Sequence, residues 1–306
     1  MSQLGKEPGG PVVGKDSSAT SWSQRALPAL LLGGVLIGCS PIFVRLSELD
    51  AVATAFWRLA LALLPLAFVA RREIKGGTAR PRGWRDIAVV SLPGVVLGAE
   101  LTLWHSSLHL TSVANSTLLV NLAPVFVVLY SWLVLKKVPR PIFALALIAT
   151  ILGVVLLKGG SFSSAASTIR GDVLAVIAAV LYAAYVLMLE KARRRFSAPI
   201  IMMWSTSAAA LCILPLAWAT EPALLPLTLT GWAVLFALSW LSQAGGQSMI
   251  AYALAWLPAS FSSLTLLLQP AVAAVLAWVF LGEALTPIQC LGGAIIVAGI
   301  WTARRA

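Results

Sequence analysis

Charge is scarce in this chain of 306 residues: only 11% of its residues are Asp, Glu, Lys or Arg, whereas 59% are hydrophobic. A soluble domain carries about 25% charged residues. No aqueous core hides this much apolar surface, so lipid must be the solvent for most of it. Histidine is almost absent (two residues), and the three cysteines, Cys39, Cys212 and Cys290, sit at unrelated spacings inside apolar segments. That excludes a disulfide framework and a thiolate metal site, and leaves the cysteines as small packing residues. His105 and His109 stand four apart near a helix end with no further ligands beside them, which reads as solvated histidines. There is no His-Glu-x-x-His, no Gly-x-Ser-x-Gly and no phosphate-cradling glycine loop. An intramembrane enzyme and a bound cofactor or metal are therefore not expected. The net charge of +11 raises nucleic acid as a partner, but the basic residues fall in short loops between apolar runs and form no binding stripe. Residues 1–24 are Gly-, Ser- and Lys-containing without an apolar core, and read as a disordered cytoplasmic tail.

What the chain does have is membrane-length apolar segments. A bilayer core of about 30 Å takes roughly 20 helical residues, and ten segments meet that need: 26–47, 51–70, 87–109, 112–135, 141–157, 171–190, 199–220, 231–254, 258–281 and 287–303. The expected fold is an all-α membrane protein. With the N-terminus inside, 18 of the 22 Lys and Arg residues fall on the cytoplasmic face, so both termini are expected there.

An internal repeat sets the architecture. Shifting the chain on itself by 146 positions lays Pro124 on Pro270, Trp132 on Trp278, Pro141 on Pro287 and Gly153 on Gly299. Earlier, Leu64-Pro65-Leu66-Ala67 recurs as Leu214-Pro215-Leu216-Ala217, and Gly83-Trp84 as Gly231-Trp232. Five spans per copy is an odd number, so the second copy enters the bilayer upside down. The basic loop Lys136-Lys137-Val138-Pro139-Arg140 and its acidic counterpart Gly282-Glu283-Ala284-Leu285-Thr286 then face opposite sides. The expected halves are 25–158 and 170–303: ten transmembrane helices as two inverted five-helix repeats.

These residues resemble the EamA repeat of the drug/metabolite transporter superfamily. The resemblance rests on Asn121-Leu122-Ala123-Pro124 followed by Trp132, on Leu268-Gln269-Pro270 followed by Trp278 and Leu281-Gly282-Glu283, on Gly171-Asp172, and on Phe56-Trp57-Arg58. The first copy departs from the pattern, with Lys136-Lys137 where the superfamily often has Gly-Glu. The resemblance implies a carrier with a central cavity lined mainly by helices 1, 3, 4, 6, 8 and 9. It further implies export of amino acids or other small metabolites, the aromatic amino-acid exporters being one relative. Drugs, other metabolites and nucleotide-linked sugars are alternative cargoes, and a channel or lipid-handling protein is a different class. A cavity for nucleotide-sugars needs several cations, and Arg58 is the one cation expected inside the membrane.

Mid-membrane charge is expensive and marks function or structure. Arg58 and Glu100 fall at similar depths on consecutive helices, as a clamp between them or as a coupling and substrate site. Trp240, Gln243 and Gln247 share one face of an α-helix by spacing, and the two amides either clamp helices together or meet substrate. Trp104, one turn from Glu100, and Tyr185, with Tyr182 beside it, read as cavity wall or as ordinary packing. Asn121 and Gln269 flank the matched prolines Pro124 and Pro270, which kink their helices as gating hinges or as fixed shape. The expected localisation is a bacterial inner membrane. The partners are the lipid bilayer and a small-molecule substrate, the chain being competent as a monomer.

Overall fold

Apolar residues around the whole circumference of a helix leave only size to decide which face turns inward. In the computed structural model, which describes residues 24–111, 113–157, 169–281 and 285–305, small residues mark the closest helix contacts while many large apolar residues face outward. Helix Pro141–Leu157 shows the rule: Ala146, Thr150 and Gly153 are buried, whereas Leu145, Ile148 and Leu152 lie exposed along the opposite side. Lipid tails are as apolar as leucine, so close backbone approach at small residues holds such helices together.

Among the described residues every regular element is helical. In chain order these are α1 (Ala26–Gly38), α2 (Ser40–Arg45), α3 (Ala51–Lys75), α4 (Trp84–Leu110), α5 (Val113–Val120), α6 (Ala123–Leu133), α7 (Pro141–Leu157), α8 (Ile169–Arg193) and α9 (Ala198–Thr220). There follow α10 (Leu229–Ala237), a π-helical segment (Leu238–Gln247), α11 (Ser248–Ala253), α12 (Ala259–Thr265), α13 (Leu268–Leu281) and α14 (Pro287–Arg304). Six stretches are long and apolar enough to cross a membrane: Ala26–Val44, Ala51–Lys75, Trp84–Trp104, Ile169–Arg193, Ala198–Thr220 and Ala259–Leu276. Leu118–Leu133 and Pro141–Leu157 are shorter apolar helices.

Several expected spans are interrupted. Pro124 and Pro270 do not bend a continuous helix. The helix stops before each, and each proline sits in the first turn of the next one, α6 or α13. A proline ring lacks the N–H and collides with the carbonyl four residues back. The chain therefore tightens into i→i−3 bonds. Leu122 N donates to Leu119 O at 3.1 Å, and Leu267 N donates to Leu264 O at 3.1 Å.

Glycines mark the closest crossings. A Cβ on Gly94 of α4 would stand 1.8 Å from the Ser205 carbonyl oxygen of α9. Where α7 crosses α14, Gly153 faces the Gly292 backbone, and Gly299 faces Ala146 and Thr150. Helix α4 packs on α8 and α9, α3 packs on α9 and the π segment, and α1 packs on the π segment and α13.

Candidate functional site

The two mid-span charges converge. Helix α3 carries Arg58, α4 carries Glu100 (4% exposed), α8 carries Tyr182 and Tyr185 (1% exposed), and the π segment carries Gln243 and Gln247 (1% and 3%). Trp57 sets the rotation of α3: its indole donates to the Leu224 carbonyl at 2.5 Å and its ring meets Trp232 edge-on at 5.1 Å. Arg58, the next residue, is thereby carried round toward α4 and α8. Its charge and that of Glu100 lie within electrostatic reach of each other and of both tyrosine hydroxyls. No ion pair within 4.0 Å joins Arg58 to Glu100 among the described residues. The buried Arg58 Nε, Tyr185 hydroxyl and Gln247 Oε1 have no hydrogen-bond partner. Tyr182 stacks obliquely on Tyr185 at 5.8 Å and meets the Gln247 side chain. Such groups in apolar surroundings cost free energy unless a partner satisfies them. Two opposite charges held apart, with open donors and acceptors between, suit a small molecule that bears both signs.

Gln243 is satisfied by the protein, donating to Thr206 Oγ1 of α9 at 3.3 Å. The π geometry separates the three residues that α-helical spacing put on one face. A full π turn needs more than four residues, so Gln243 and Gln247 stay on one side and Trp240 swings away. Trp240 is 49% exposed, donates to the Leu61 carbonyl at 3.3 Å and meets Phe236 edge-on at 5.6 Å. It braces α3 from outside and does not wall the cluster. Asn121 lines a narrow crevice against Ile151 and Val154 of α7, away from the cluster. Gln269 lies at the start of α13, its carbonyl set against Gly38. Trp104 packs, half-buried, against the core one turn from Glu100. The side chains of His105 and His109 lie outside the described residues.

Serine and threonine residues that the sequence did not single out join the π segment to its neighbours. Ser242 donates to the Leu36 carbonyl at 2.9 Å and accepts from Ser40 at 2.8 Å, while Ser239 donates to the Trp57 carbonyl at 3.1 Å. Gly33 and Gly246 let α1 approach the segment closely; a Cβ on Gly33 would lie 2.8 Å from the Gly246 carbonyl.

The two ends of the bundle differ. At one, the Glu48 carboxylate accepts from the backbone N–H groups of Leu227 (2.9 Å) and Thr228 (3.2 Å) and from the Thr228 hydroxyl. The Thr228 hydroxyl, then these amides, hold Glu48 below the usual carboxylate range. Glu221 accepts from Val52 N at 3.0 Å, and Thr111 donates to Asp172 at 2.7 Å. Among the described residues, these bonds lace the helix ends together on this side. At the other, where the Lys and Arg clusters lie, a cavity of about 830 Å³ opens among the ends of α6, α8 and α14 and the starts of α1, α7 and α12.

The EamA-like transporter family model matches this chain twice, at residues 24–158 and 169–304. The chain belongs to that family. This EamA-family transporter is 28% identical over 292 residues to a probable terminal-alkyne amino-acid exporter of Streptantibioticus cattleyicolor, covering 94% of this chain and 91% of that one. It is 29% identical over 211 residues, 68% of each chain, to the threonine/homoserine exporter RhtA of Escherichia coli K12. A solved crystal structure superposes with a TM-score of 0.77 at 17% identity, covering 93% of this transporter and 97% of that chain, which shows a shared fold. The family and these relatives are transporters, and the EamA-family transporter described here is a helical transmembrane protein.

Proposed function

We propose that this transporter exports neutral or aromatic amino acids across a bacterial inner membrane by alternating access, as a ten-helix carrier built from two inverted five-helix halves. The observation that carries the substrate reading is the Arg58–Glu100 pair. The two charges attract each other without an ion pair within 4.0 Å, and Arg58 Nε itself, the Tyr185 hydroxyl and Gln247 Oε1 are buried with open hydrogen-bonding capacity. A zwitterion's carboxylate suits Arg58, its ammonium suits Glu100, and the stacked Tyr182 and Tyr185 offer an aromatic wall. The names of the two relatives, both exporters of amino acids, support the same class and direction.

Pairings between helices support the inverted halves. Exchange the copies and the α4–α8 packing becomes that of the π segment on α1, while α4–α9 becomes the π segment on α3. The α7–α14 crossing maps on itself: Gly153 against Gly292 corresponds to Gly299 against Ala146, each residue 146 positions from its equivalent. Such reciprocity is the mark of a two-fold relation. The basic clusters support cytoplasmic termini.

The test is counterflow in proteoliposomes with a labelled amino-acid panel, with and without an imposed pH gradient. Saturable exchange of threonine, leucine or phenylalanine that Glu100→Gln suppresses is the expected result. Linear, unsaturable flux means a channel, and no movement of any panel member ends the amino-acid reading.

A further inference from the structure

The basic turn that departs from the family pattern also departs from ordinary backbone geometry. Lys136 has φ of +54°, a left-handed conformation that side chains other than glycine adopt at a cost. The next amide, Lys137 N, reaches back to the Ser131 carbonyl at 2.9 Å. That bond spans six positions, one more than in the usual left-handed cap, and closes a helix C-terminus, where glycine is the usual occupant of the left-handed position. Here a lysine holds glycine's place, and the turn lays Lys137 and Arg140 over the cavity of about 830 Å³. Arg304 joins them from α14, while Phe143, Leu257 and Phe261 line the same space. Glu190 on the same lining is engaged by Arg194 at 3.5 Å and so does little to offset Lys137 and Arg304. One helix, α8, borders both the cavity and the buried cluster. Glu190 and Tyr185 lie five residues apart on α8, about 7.5 Å along the axis.

We infer that this cavity is an anion-selecting mouth that draws in ligands combining a carboxylate with an apolar body, Lys137 and Arg304 meeting the carboxylate and the aromatic floor the body. The inference rests on the reading of the Arg58–Glu100 cluster for where the ligand goes next, but the mouth itself is testable without it.

The test uses the full chain in phosphatidylcholine nanodiscs, with Cys39, Cys212 and Cys290 replaced by Ala and a probe thiol introduced on the cavity lining by Ser260→Cys. The probes are an anionic sulfonatoethyl and a cationic trimethylammonioethyl methanethiosulfonate. Two cations within about a Debye length favour the anionic reagent by about threefold over its ratio on a free thiol. The expected preference disappears in the Lys137→Gln/Arg304→Gln variant. In addition, 3-phenylpropionate slows labelling and 3-phenylpropionamide does not. A reagent ratio indifferent to the two cations, or equal protection by acid and amide, overturns the inference. Protection by phosphatidylglycerol in the nanodisc that phenylpropionate cannot displace assigns the site to lipid headgroups and overturns it too. The experiment is separable from the amino-acid panel: 3-phenylpropionate has no ammonium, so the mouth is upheld or overturned whether or not any amino acid is carried.

Discussion

Two glycines, both buried in apolar helices, predict opposite responses to the same substitution. Gly94 faces α9 so closely that an alanine Cβ would stand 1.8 Å from the Ser205 carbonyl oxygen, 2.6 Å from its carbon and 2.8 Å from its Cα. Cβ contacts under 3.0 Å are essentially never seen, so α4 and α9 must part by about 1.2 Å. No side chain can rotate away, because the obstructing atoms are backbone. A gap of 0.5–1 Å already forfeits a quarter to a half of each dispersion contact, at about 0.1–0.2 kcal/mol per atom pair. With some 30 pairs across the crossing, the loss is about 2 kcal/mol, within the range measured for overpacked cores. Gly34 of α1 has nothing within 4 Å of its hypothetical Cβ. There alanine meets no obstacle and gains up to about 1 kcal/mol of helix propensity. The two Gly→Ala variants should therefore differ by about 3 kcal/mol, more than a hundredfold in the unfolding constant. Reversible unfolding in mixed micelles, followed by tryptophan fluorescence at matched detergent fractions, reads both. Gly94→Ala should also impair transport, since Glu100 lies six residues further along the displaced helix. Equal stability of the two variants, or a stabilised Gly94→Ala, would refute the α4–α9 crossing described here.

Four other outcomes are expected. Glu100→Gln should lower exchange by about 10- to 100-fold at neutral pH, the size of one lost charge-assisted hydrogen bond; unchanged exchange removes Glu100 from the site. Gly153→Val and Gly292→Val should each destabilise by about 2 kcal/mol, the double variant costing less than their sum because both act on one contact; additive effects in micelle unfolding would show two separate contacts. Glu48 is held below the usual carboxylate range by Thr228, so its contribution is complete above about pH 4.5 and is lost only as pH falls through the lowered value. The thermal-midpoint gap between wild type and Glu48→Gln should accordingly stay constant from about pH 8 to 5.5 and close below about pH 4, and a gap that closes near neutrality contradicts the latch. Lys136→Gly should raise stability by about 1 kcal/mol by removing left-handed strain, and a destabilised variant would place that side chain's contacts above its backbone cost.

The parts legible in the sequence are those that depend on solvent or on exclusion. Lipid solvation makes apolar runs readable, and rare Pro, Trp and Gly residues recurring 146 positions apart expose the duplication. Arg58 and Glu100 are legible because mid-membrane charge is costly wherever it occurs. Partners distant in sequence are not: Gln243 bonds Thr206, 37 residues away, and Ser242 bonds Leu36, 206 away. Trp240 misled for a different reason. Periodicity assumes 100° per residue, and a π segment breaks that assumption. The local signals were Gly245-Gly246 together with Ser239 and Ser242, since glycine pairs and inserted hydrogen bonds accompany helix irregularity. The prolines marked the right places but the wrong geometry. A lone proline reads as a kink, whereas here the preceding turn tightens and the helix restarts.

The contrast between a reciprocal interior and one-sided ends bears on mechanism. On the proposed inverted-repeat reading, the core crossings come in exchangeable pairs, so swapping the conformations of the two halves leaves them intact. The lacing of Glu48, Glu221 and Asp172 lies at one end, and the cavity under Lys137 and Arg140 at the other. If the halves are inverted copies of one fold, an arrangement with the open and laced ends exchanged has nearly the same interior energy. The balance between the two then rests on the end contacts, a few exposed hydrogen bonds of about 1 kcal/mol each. Weakening the Glu48 latch should therefore shift the conformational population more than it lowers global stability. In Glu48→Gln, labelling of a thiol at Ser260→Cys should slow as the basic-face cavity closes, while the micelle unfolding midpoint moves only by the small gap described above. A fall in the unfolding midpoint large enough to account for the lost labelling would make the latch part of the core, and the two halves could not trade places as proposed.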